Sequence, residues 1–311
     1  MGGLVARYFL EVLGGWRHTK MLVSLGTPYR GSVKALDFLA NGIRRTLGSL
    51  TLIDLTKLAQ SLPSVHQLLP IYACLGKNEN DLQGLEIIDR QQIGQLDIGR
   101  ARAGIEFHRE IESAVKANRQ KDGYGYRILP IVGAYQPTFQ SALLREDGIE
   151  PLLSYKGQTV LGGDGTVPRL SATPIELSEM KIETFVSCPH ASLQNFDPAR
   201  VQIRAALEDV DISEIKAAAT EGISLEISDA YLAGQDVRFR VCCRAATKPL
   251  QAWVTNCETL VKVTSGSVSV PGSDGWQEMS AGILPVGSYR VRVEADDVAE
   301  PIGDLFVVLG P

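Results

Sequence analysis

The order of the hydrophobic patterns at the start of the chain constrains its fold more than any other feature. Residues 3–13 carry apolar side chains at helical spacing, and Gly14-Gly15 ends the run. Residues 21–25 form a short apolar run that suits a buried strand better than a helix, and Gly26-Thr27-Pro28 closes it. A helix, a strand and a glycine-rich loop in this order are typical of a parallel α/β sheet.

A different pattern occupies residues 33–125, which are mostly helical in their apolar spacing. Candidate helices cover residues 35–47, 50–62 and 97–118. A helical block of this length between strand patterns is typical of an insertion, and such insertions often cover an active site. We therefore expect a helical cap over residues 33–125.

Strand patterns return after this insertion. Residues 127–133, 152–161 and 181–187 are short apolar or alternating runs. We expect them to join the strand at residues 21–25 in one sheet. Tyr155-Lys156-Gly157-Gln158 predicts a hairpin turn inside the second of these runs.

The last third of the chain changes from this mixed pattern to short strands. Asp197-Pro198 predicts a helix with Asp197 as its N-cap and Pro198 at its first position. Beyond Gly222 the strand candidates are residues 223–227, 237–243, 251–255, 260–264, 268–270, 289–294 and 305–309. Many short strands separated by turn residues predict a β-sandwich. We expect one domain over residues 1–215 and a β-sandwich of immunoglobulin type over residues 222–311.

The charge balance and the cysteine pattern exclude several classes of protein. The net charge of −5 over 311 residues argues against a general nucleic-acid binder. No apolar stretch approaches the roughly 18 residues of a membrane-spanning helix, and Arg7 and Glu11 interrupt the first apolar run, unlike in a signal peptide. Five cysteines without a Cys-x-x-Cys pair favour neither a disulfide framework nor a metal site. We expect no metal or cofactor, no nucleic-acid partner, no transmembrane segment and a cytoplasmic location.

Two loops carry residues suited to acid–base chemistry. Asp164 lies in Gly162-Gly163-Asp164-Gly165-Thr166, after a strand pattern. A carboxylate there can orient a histidine and stabilise its imidazolium form, although Asp-Gly is also a common turn dipeptide. His190 follows the next strand pattern and can act as a general base and then as a general acid; the alternative is a solvated loop histidine. An acid followed along the chain by a histidine fits the order serine, aspartate, histidine, so the two residues together favour a catalytic pair.

The first residues, Met1-Gly2-Gly3, are typical of the second half of a nucleophile elbow. In the pattern Gly-x-Ser-x-Gly a reactive serine occupies a sharp turn between a strand and a helix. Gly2 would be the last glycine of that pattern, and the backbone N–H of Met1 would help to form the oxyanion hole. No complete Gly-x-Ser-x-Gly occurs in the 311 residues, so we find no nucleophile in this chain. We expect the serine to lie directly before Met1.

These motifs resemble the lipase and acyltransferase branch of the α/β-hydrolases, particularly the lecithin:cholesterol acyltransferase-like proteins. The resemblance covers about residues 1–210 and is carried by residues 1–8, by Leu25-Gly26-Thr27-Pro28-Tyr29-Arg30-Gly31-Ser32, and by residues 163–168 with the later His190. It implies the C-terminal part of an α/β-hydrolase sheet with a helical cap, followed by the β-sandwich. It also implies that Asp164 is the triad acid, His190 the base and Met1 an oxyanion donor.

Two functional hypotheses follow from this resemblance. In the first, the complete protein is a serine acyl hydrolase or O-acyltransferase acting on lipid-like, apolar esters. This chain is then its C-terminal part, inactive as written, and pairs with an N-terminal half. In the second, the chain is a non-catalytic binding protein with a degenerate hydrolase scaffold and a β-sandwich interaction module. The intact mass of the native protein would discriminate between the two.

Overall fold

The computed structural model divides the chain into two compact units. It describes residues 1–47, 50–86, 92–159, 162–178, 184–208, 222–243, 246, 248–268, 276–296 and 301–310. The first unit comprises residues 1–132 and 138–184, and the second comprises residues 133–137 and 185–311. Most of the boundary region expected from composition, residues 215–222, lies outside the described residues. The division into domains 1–215 and 222–311 therefore stays a prediction.

The described part of the first unit contains five α-helices. They are α1 (Gly2–Glu11), α2 (Val33–Asn41), α3 (Thr56–Ser61), α4 (Pro63–His66) and α5 (Ile98–Asn118). Two of them begin at side chains that cap the first turn. The Ser32 hydroxyl accepts the Lys34 N–H at 3.2 Å, and the Asp97 carboxylate accepts the Arg100 N–H at 2.9 Å. α1 and α5 confirm the helices predicted at the start of the chain and at residues 97–118.

The two helix predictions at residues 35–47 and 50–62 are wrong over residues 42–47 and 50–54. α2 ends at Asn41 because Gly42 adopts a positive φ of 86°, which a helix cannot continue. An antiparallel strand pair follows, formed by β2 (Arg44–Leu47) and β3 (Leu50–Asp54). The β-branched threonines and isoleucine in this segment favour strands. The cap predicted over residues 33–125 is therefore helical only in part.

Two predicted strands form a parallel pair. β1 (Met21–Leu25) and β5 (Arg127–Gly133) lie side by side, with Val23 opposite Leu129. β5 is buried along most of its length, which explains its apolar sequence. This pairing confirms the strand predictions at both positions.

The strands between Ser141 and Thr159 form two small sheets separate from β1 and β5. β4 (Leu75–Gly76), β6 (Ser141–Arg145) and β7 (Gly148–Leu152) make one sheet, and β8 (Ser154–Tyr155) pairs with β9 (Gln158–Thr159). The predicted turn between β8 and β9 is confirmed. Lys156 and Gly157 have φ values of 51° and 70°, as a two-residue hairpin turn requires. The expectation that residues 152–161 join β1 in one sheet is wrong.

The predicted α/β-hydrolase core is also wrong. The sheets formed by described residues up to 186 have two or three strands each, in a mixture of helices and short strands. A doubly wound core would collect these strands in one larger parallel sheet. The strand patterns were correct at several positions, but a pattern of alternation does not specify which strand becomes the neighbour.

The second unit contains a helix and a two-sheet β domain. α6 (Asp197–Leu207) starts at Asp197, and Phe196 takes the N-cap position predicted for Asp197. β10 (Thr184–Val186) is the described part of the strand predicted at residues 181–187, of which residues 181–183 lie outside the described residues. The β domain consists of β11 (Ser224–Ile227), β12 (Ala230–Leu232), β13 (Asp236–Cys242), β14 (Leu250–Asn256), β15 (Lys262–Val268), β16 (Trp276–Ile283), β17 (Gly287–Glu294) and β18 (Ile302–Leu309).

These strands form a β-sandwich. The strand orders are β11-β13-β16 in one sheet and β12-β18-β17-β14-β15 in the other. Alternate residues of both sheets are buried in one shared apolar core, for example Val237 and Phe239 in β13 and Tyr289 and Val291 in β17. β12 and β16 were not predicted, and residues 269–270 of the predicted strand at 268–270 lie outside the described residues.

Candidate functional site

The Asp164 loop is a tight turn in the first unit that fixes a buried carboxylate. Asp164 is 1% exposed. Its Oδ1 atom accepts the backbone N–H groups of Thr166 at 3.0 Å and Val167 at 2.7 Å. Gly165 has a φ of 87°, a conformation that favours glycine, and its N–H donates to the Thr138 hydroxyl at 2.8 Å. The loop is therefore a turn, as the Asp-Gly dipeptide predicted. The turn also holds a buried carboxylate in one orientation.

His190 lies in the second unit, at the start of a short 3₁₀ segment, His190–Asn195, that follows Pro189. It is half-buried. The segment is attached to β18, because the Ser192 hydroxyl donates to the Gly303 carbonyl at 2.7 Å. Leu193 anchors it further with a fully buried side chain. The loop that carries His190 is therefore packed, not freely solvated.

Met1 precedes α1 as its N-cap residue, and its carbonyl accepts the Leu4 N–H at 2.9 Å. Burial lowers the pKa of its amino group. The start of α1 lies against the loop after β1: a methyl group on Gly3 would overlap the Thr27 side chain. Glycine is therefore required here by close packing.

The first unit brings the family-like segments of the chain together. Gly3 contacts Thr27, and the loop that contains Thr27 continues to residues that contact the Asp164 loop. The Ser32 hydroxyl donates to the Thr166 carbonyl, and the Arg30 N–H donates to the Ser171 carbonyl at 3.2 Å. Segments that are more than a hundred residues apart in the sequence thus pack against one another in this unit.

The first unit also contains a buried charge network that was not predicted from the sequence. Arg7 and Glu11 are 3% and 2% exposed, and their side chains form an ion pair of 2.9 Å. Arg7 also contacts the Glu176 carboxylate and the Tyr126 hydroxyl. Glu11 accepts the Tyr126 hydroxyl at 2.6 Å and the Asn118 amide at 3.0 Å. An arginine and a glutamate four residues apart on the buried face of an apolar helix were the available signal.

Next to this network the first unit contains a small, partly open pocket. Its apolar walls come from Leu4, Ile71, Ile111 and Ile175, and its polar walls include Arg7, Tyr29, His108 and Glu112. Burial raises the pKa of Tyr29 to about 12, and its hydroxyl donates to Ser24 at 2.7 Å. Burial also raises the pKa of Glu112. Titratable groups perturbed by burial in a cleft are typical of functional sites, although structural ion-pair networks also produce them.

His108 is the other buried titratable group of this pocket. Its Nε2 atom lies 2.7 Å from the Gln67 carbonyl oxygen. Because a carbonyl only accepts, Nε2 carries the proton in the neutral ring, and burial lowers the pKa of the side chain. No group of three or more histidine, cysteine, aspartate or glutamate side chains in the described ranges is arranged to hold a metal ion. Among the helices of the described residues, none combines the length and apolar character needed to cross a membrane.

Comparison with known families gives one match at the start of the chain. The model of the lecithin:cholesterol acyltransferase family matches residues 1–91. This match supports a relationship of the first unit to acyltransferases and lipases of that type. No curated protein sequence matches the chain.

Three similar solved structures each cover about a quarter to a third of the chain. A DUF3244 family protein from Bacteroides vulgatus, with an immunoglobulin-like β-sandwich fold, is 10% identical over 23% of this chain and 75% of its own, at a TM-score of 0.20. The soluble domain of PmoD from Methylocystis is 11% identical over 28% of this chain and 90% of its own, at a TM-score of 0.23. A superoxide reductase from Ignicoccus hospitalis is 10% identical over 33% of this chain and 89% of its own, at a TM-score of 0.23. At these scores the similarities carry no argument about function, and the first is to a β-sandwich and not to an α/β-hydrolase.

Proposed function

We propose that the chain supplies the acid and the base of an acyl hydrolase or acyltransferase that acts on lipid-like esters. The observation that carries this proposal is the family match over residues 1–91, whose segments contact the loop that holds Asp164. A buried carboxylate held by two backbone N–H groups suits the acid of a catalytic triad.

The proposed chemistry assigns one role to each residue. The Asp164 carboxylate orients the imidazole of His190 and stabilises its protonated form. His190 removes the proton of a serine hydroxyl as that oxygen attacks the ester carbonyl, and then transfers the proton to the departing alcohol. The backbone N–H of Met1 donates to the oxyanion of the tetrahedral intermediate. Water or a second alcohol then attacks the acyl-enzyme, with His190 again as the base.

The proposal includes a nucleophilic serine and a partner segment, expected directly before Met1. The outer face of α1 supports a covering partner, because Val5 and Phe9 lie one helical turn apart and are both exposed, and Leu13 just beyond the helix is exposed too. Apolar stripes of this kind on a helix are typical of surfaces that are covered by protein.

The pocket of the first unit supports an apolar substrate. Four aliphatic side chains line it, and Leu4 lies one helical turn from Met1. We propose that the apolar part of the ester lies against these aliphatic side chains at the mouth of the pocket. Hydrolysis should then favour long-chain over short-chain p-nitrophenyl esters.

The test extends the chain upstream, in frame, and measures ester hydrolysis by the extended protein. Asp164→Asn and His190→Gln should each lower kcat by at least about a thousandfold, as removal of a triad member does. Asp147→Asn and His18→Gln change the same residue types at exposed positions and should leave kcat unchanged. Full activity of the Asp164→Asn protein would refute the site assignment. An upstream segment without a Gly-x-Ser sequence would refute the assignment of the nucleophile.

A further inference from the structure

One end of the β-sandwich exposes a group of aliphatic side chains. Three of them, Leu260, Val261 and Val263, lie where β14 connects to β15 and are 78%, 58% and 41% exposed. The other two, Ile283 and Val286, lie where β16 connects to β17 and are 67% and 60% exposed. Single exposed aliphatic residues are normal on protein surfaces, but groups of them mark interaction sites.

Backbone contacts hold these two connections side by side. The Cys257 N–H donates to the Ser288 carbonyl at 2.8 Å, two residues after Val286. On the other side, the Thr264 hydroxyl donates to the Ala281 carbonyl at 3.0 Å, two residues before Ile283. The five aliphatic residues therefore belong to one surface, which we call the apolar end.

Leu260 adopts a backbone conformation that leucine rarely takes. Its φ is 60°, in the left-handed region that favours glycine or asparagine. The loop enforces this conformation, because Asn256 accepts the Leu260 N–H at its carbonyl and the N–H groups of Glu258 and Thr259 at its side chain, all at 2.9 Å. A strained leucine that points into solvent gains nothing from the folded domain itself. The strain indicates a contact with something outside the domain.

Basic and aromatic side chains adjoin the apolar end. Lys262 separates Val261 from Val263, and its ammonium group lies 4.4 Å from the centre of the Trp253 ring. The Arg292 guanidinium lies 5.9 Å from the same ring, and Arg290 is exposed on the same strand, opposite Thr255.

The acidic groups nearby are mostly paired. Glu294 pairs with Arg292 at 3.8 Å, and Asp236, which lies opposite Ile283, pairs with Arg238 at 2.7 Å. Glu258 is exposed in the loop that carries Leu260. Among the described residues at this end, Lys262 and Arg290 are thus two cations outside these ion pairs, beside the single carboxylate of Glu258. Aliphatic side chains at the tip, cations beside them and a half-buried tryptophan behind form the combination that binds the interface of a lipid membrane.

We propose that the apolar end docks onto a phospholipid surface. Leu260, Val261 and Ile283 enter the boundary of the acyl chains, while Lys262 and Arg290 lie at the phosphate groups of anionic lipids. This inference goes beyond the acyl chemistry proposed for the first unit and does not depend on it. Vesicle binding requires neither ester hydrolysis nor any residue of the Asp164 loop.

The test is co-sedimentation of the full chain with phosphatidylcholine vesicles that contain about one fifth phosphatidylserine. We expect binding that Leu260→Asn weakens at least about tenfold, since one leucine side chain leaves the apolar phase. Asparagine also suits the left-handed conformation, so this variant should fold at least as well as the wild type. Lys262→Glu should also weaken binding, and its effect should grow as the phosphatidylserine content of the vesicles rises.

Leu207→Asn is the matched control, because Leu207 is 69% exposed on α6 and lies away from the apolar end. It should leave vesicle binding unchanged. Equal loss in both variants, or no binding by the wild type, would overturn the proposal. So would a concentration-dependent dimer that Leu260→Asn dissociates in the absence of vesicles, which would identify a second copy as the occupant.

Discussion

The first unit and the β-sandwich differ in what they bury. The buried polar and charged side chains of the described residues lie in the first unit, apart from Gln136 and Gln202. They include Arg7, Glu11, His108 and Asp164, whereas described residues 223–310 bury none. Buried polar groups are costly unless they are paired, and titratable groups perturbed by burial are typical of functional sites. The β-sandwich carries its distinctive groups on its surface, where they can meet a partner.

The largest effect expected from this comparison is at Arg7. Arg7→Met should lower the free energy of unfolding of the first unit by about 3–5 kcal/mol, because it leaves the buried Glu11 carboxylate and the partly buried Glu176 carboxylate without their cation. Urea denaturation of the full chain, followed by circular dichroism, measures the change. Arg17→Met alters an exposed arginine and serves as the control. An Arg7→Met protein as stable as the control would show that the network is not a structural requirement of the first unit.

A smaller effect is expected when a polar group is introduced into the apolar core of the β-sandwich. Val291→Thr keeps the side-chain shape at a fully buried position but adds a hydroxyl group. We expect a loss of about 1–3 kcal/mol in the free energy of unfolding of the second unit. The same change at the partly exposed Val263 should cost little. If both variants are equally stable, the core of the β-sandwich tolerates polar groups and the contrast with the first unit is weaker than proposed.

The smallest expected effect is a pH dependence at His108. Burial lowers the pKa of this histidine in the folded protein, so below the ordinary histidine pKa the unfolded chain binds a proton that the folded chain does not. The stability of the first unit should therefore be highest above that pKa and fall as the pH drops towards the folded value. His108→Gln should reduce the slope of melting temperature against pH, whereas the exposed His18→Gln should not. Equal slopes in the two variants would contradict the role of His108.

Local features of the fold could be predicted where the signal lies within a few adjacent residues. The strand at Met21–Leu25, the turn at Lys156-Gly157 and the helix that Asp97 caps all follow from short patterns with a local physical cause. The helix prediction across Gly42 was wrong because apolar spacing in short segments also fits a hairpin.

The candidate site, like the fold, could be predicted only in its local features. The glycine pattern around Asp164 predicted a turn, and the structure adds that two backbone N–H groups hold its buried carboxylate. The spacing of Arg7 and Glu11 was a signal for an ion pair, but its contacts with Glu176 and Tyr126 could not be predicted because those residues are distant in the sequence. The roles of Asp164, His190 and Met1 in catalysis stay predictions.

The sequence by itself determined where the chain turns, which short segments extend as strands, and that residues 1–8 and 25–32 resemble an acyltransferase family. Only the tertiary structure decided that these strands form several small sheets instead of one hydrolase sheet. It also decided that an ion pair lies inside the first unit and that aliphatic residues of two loops meet at one end of the β-sandwich. The physical reason is that turns and caps depend on hydrogen bonds between neighbours in the chain. Strand partners and burial depend on contacts between distant segments, which compete for the same apolar surface.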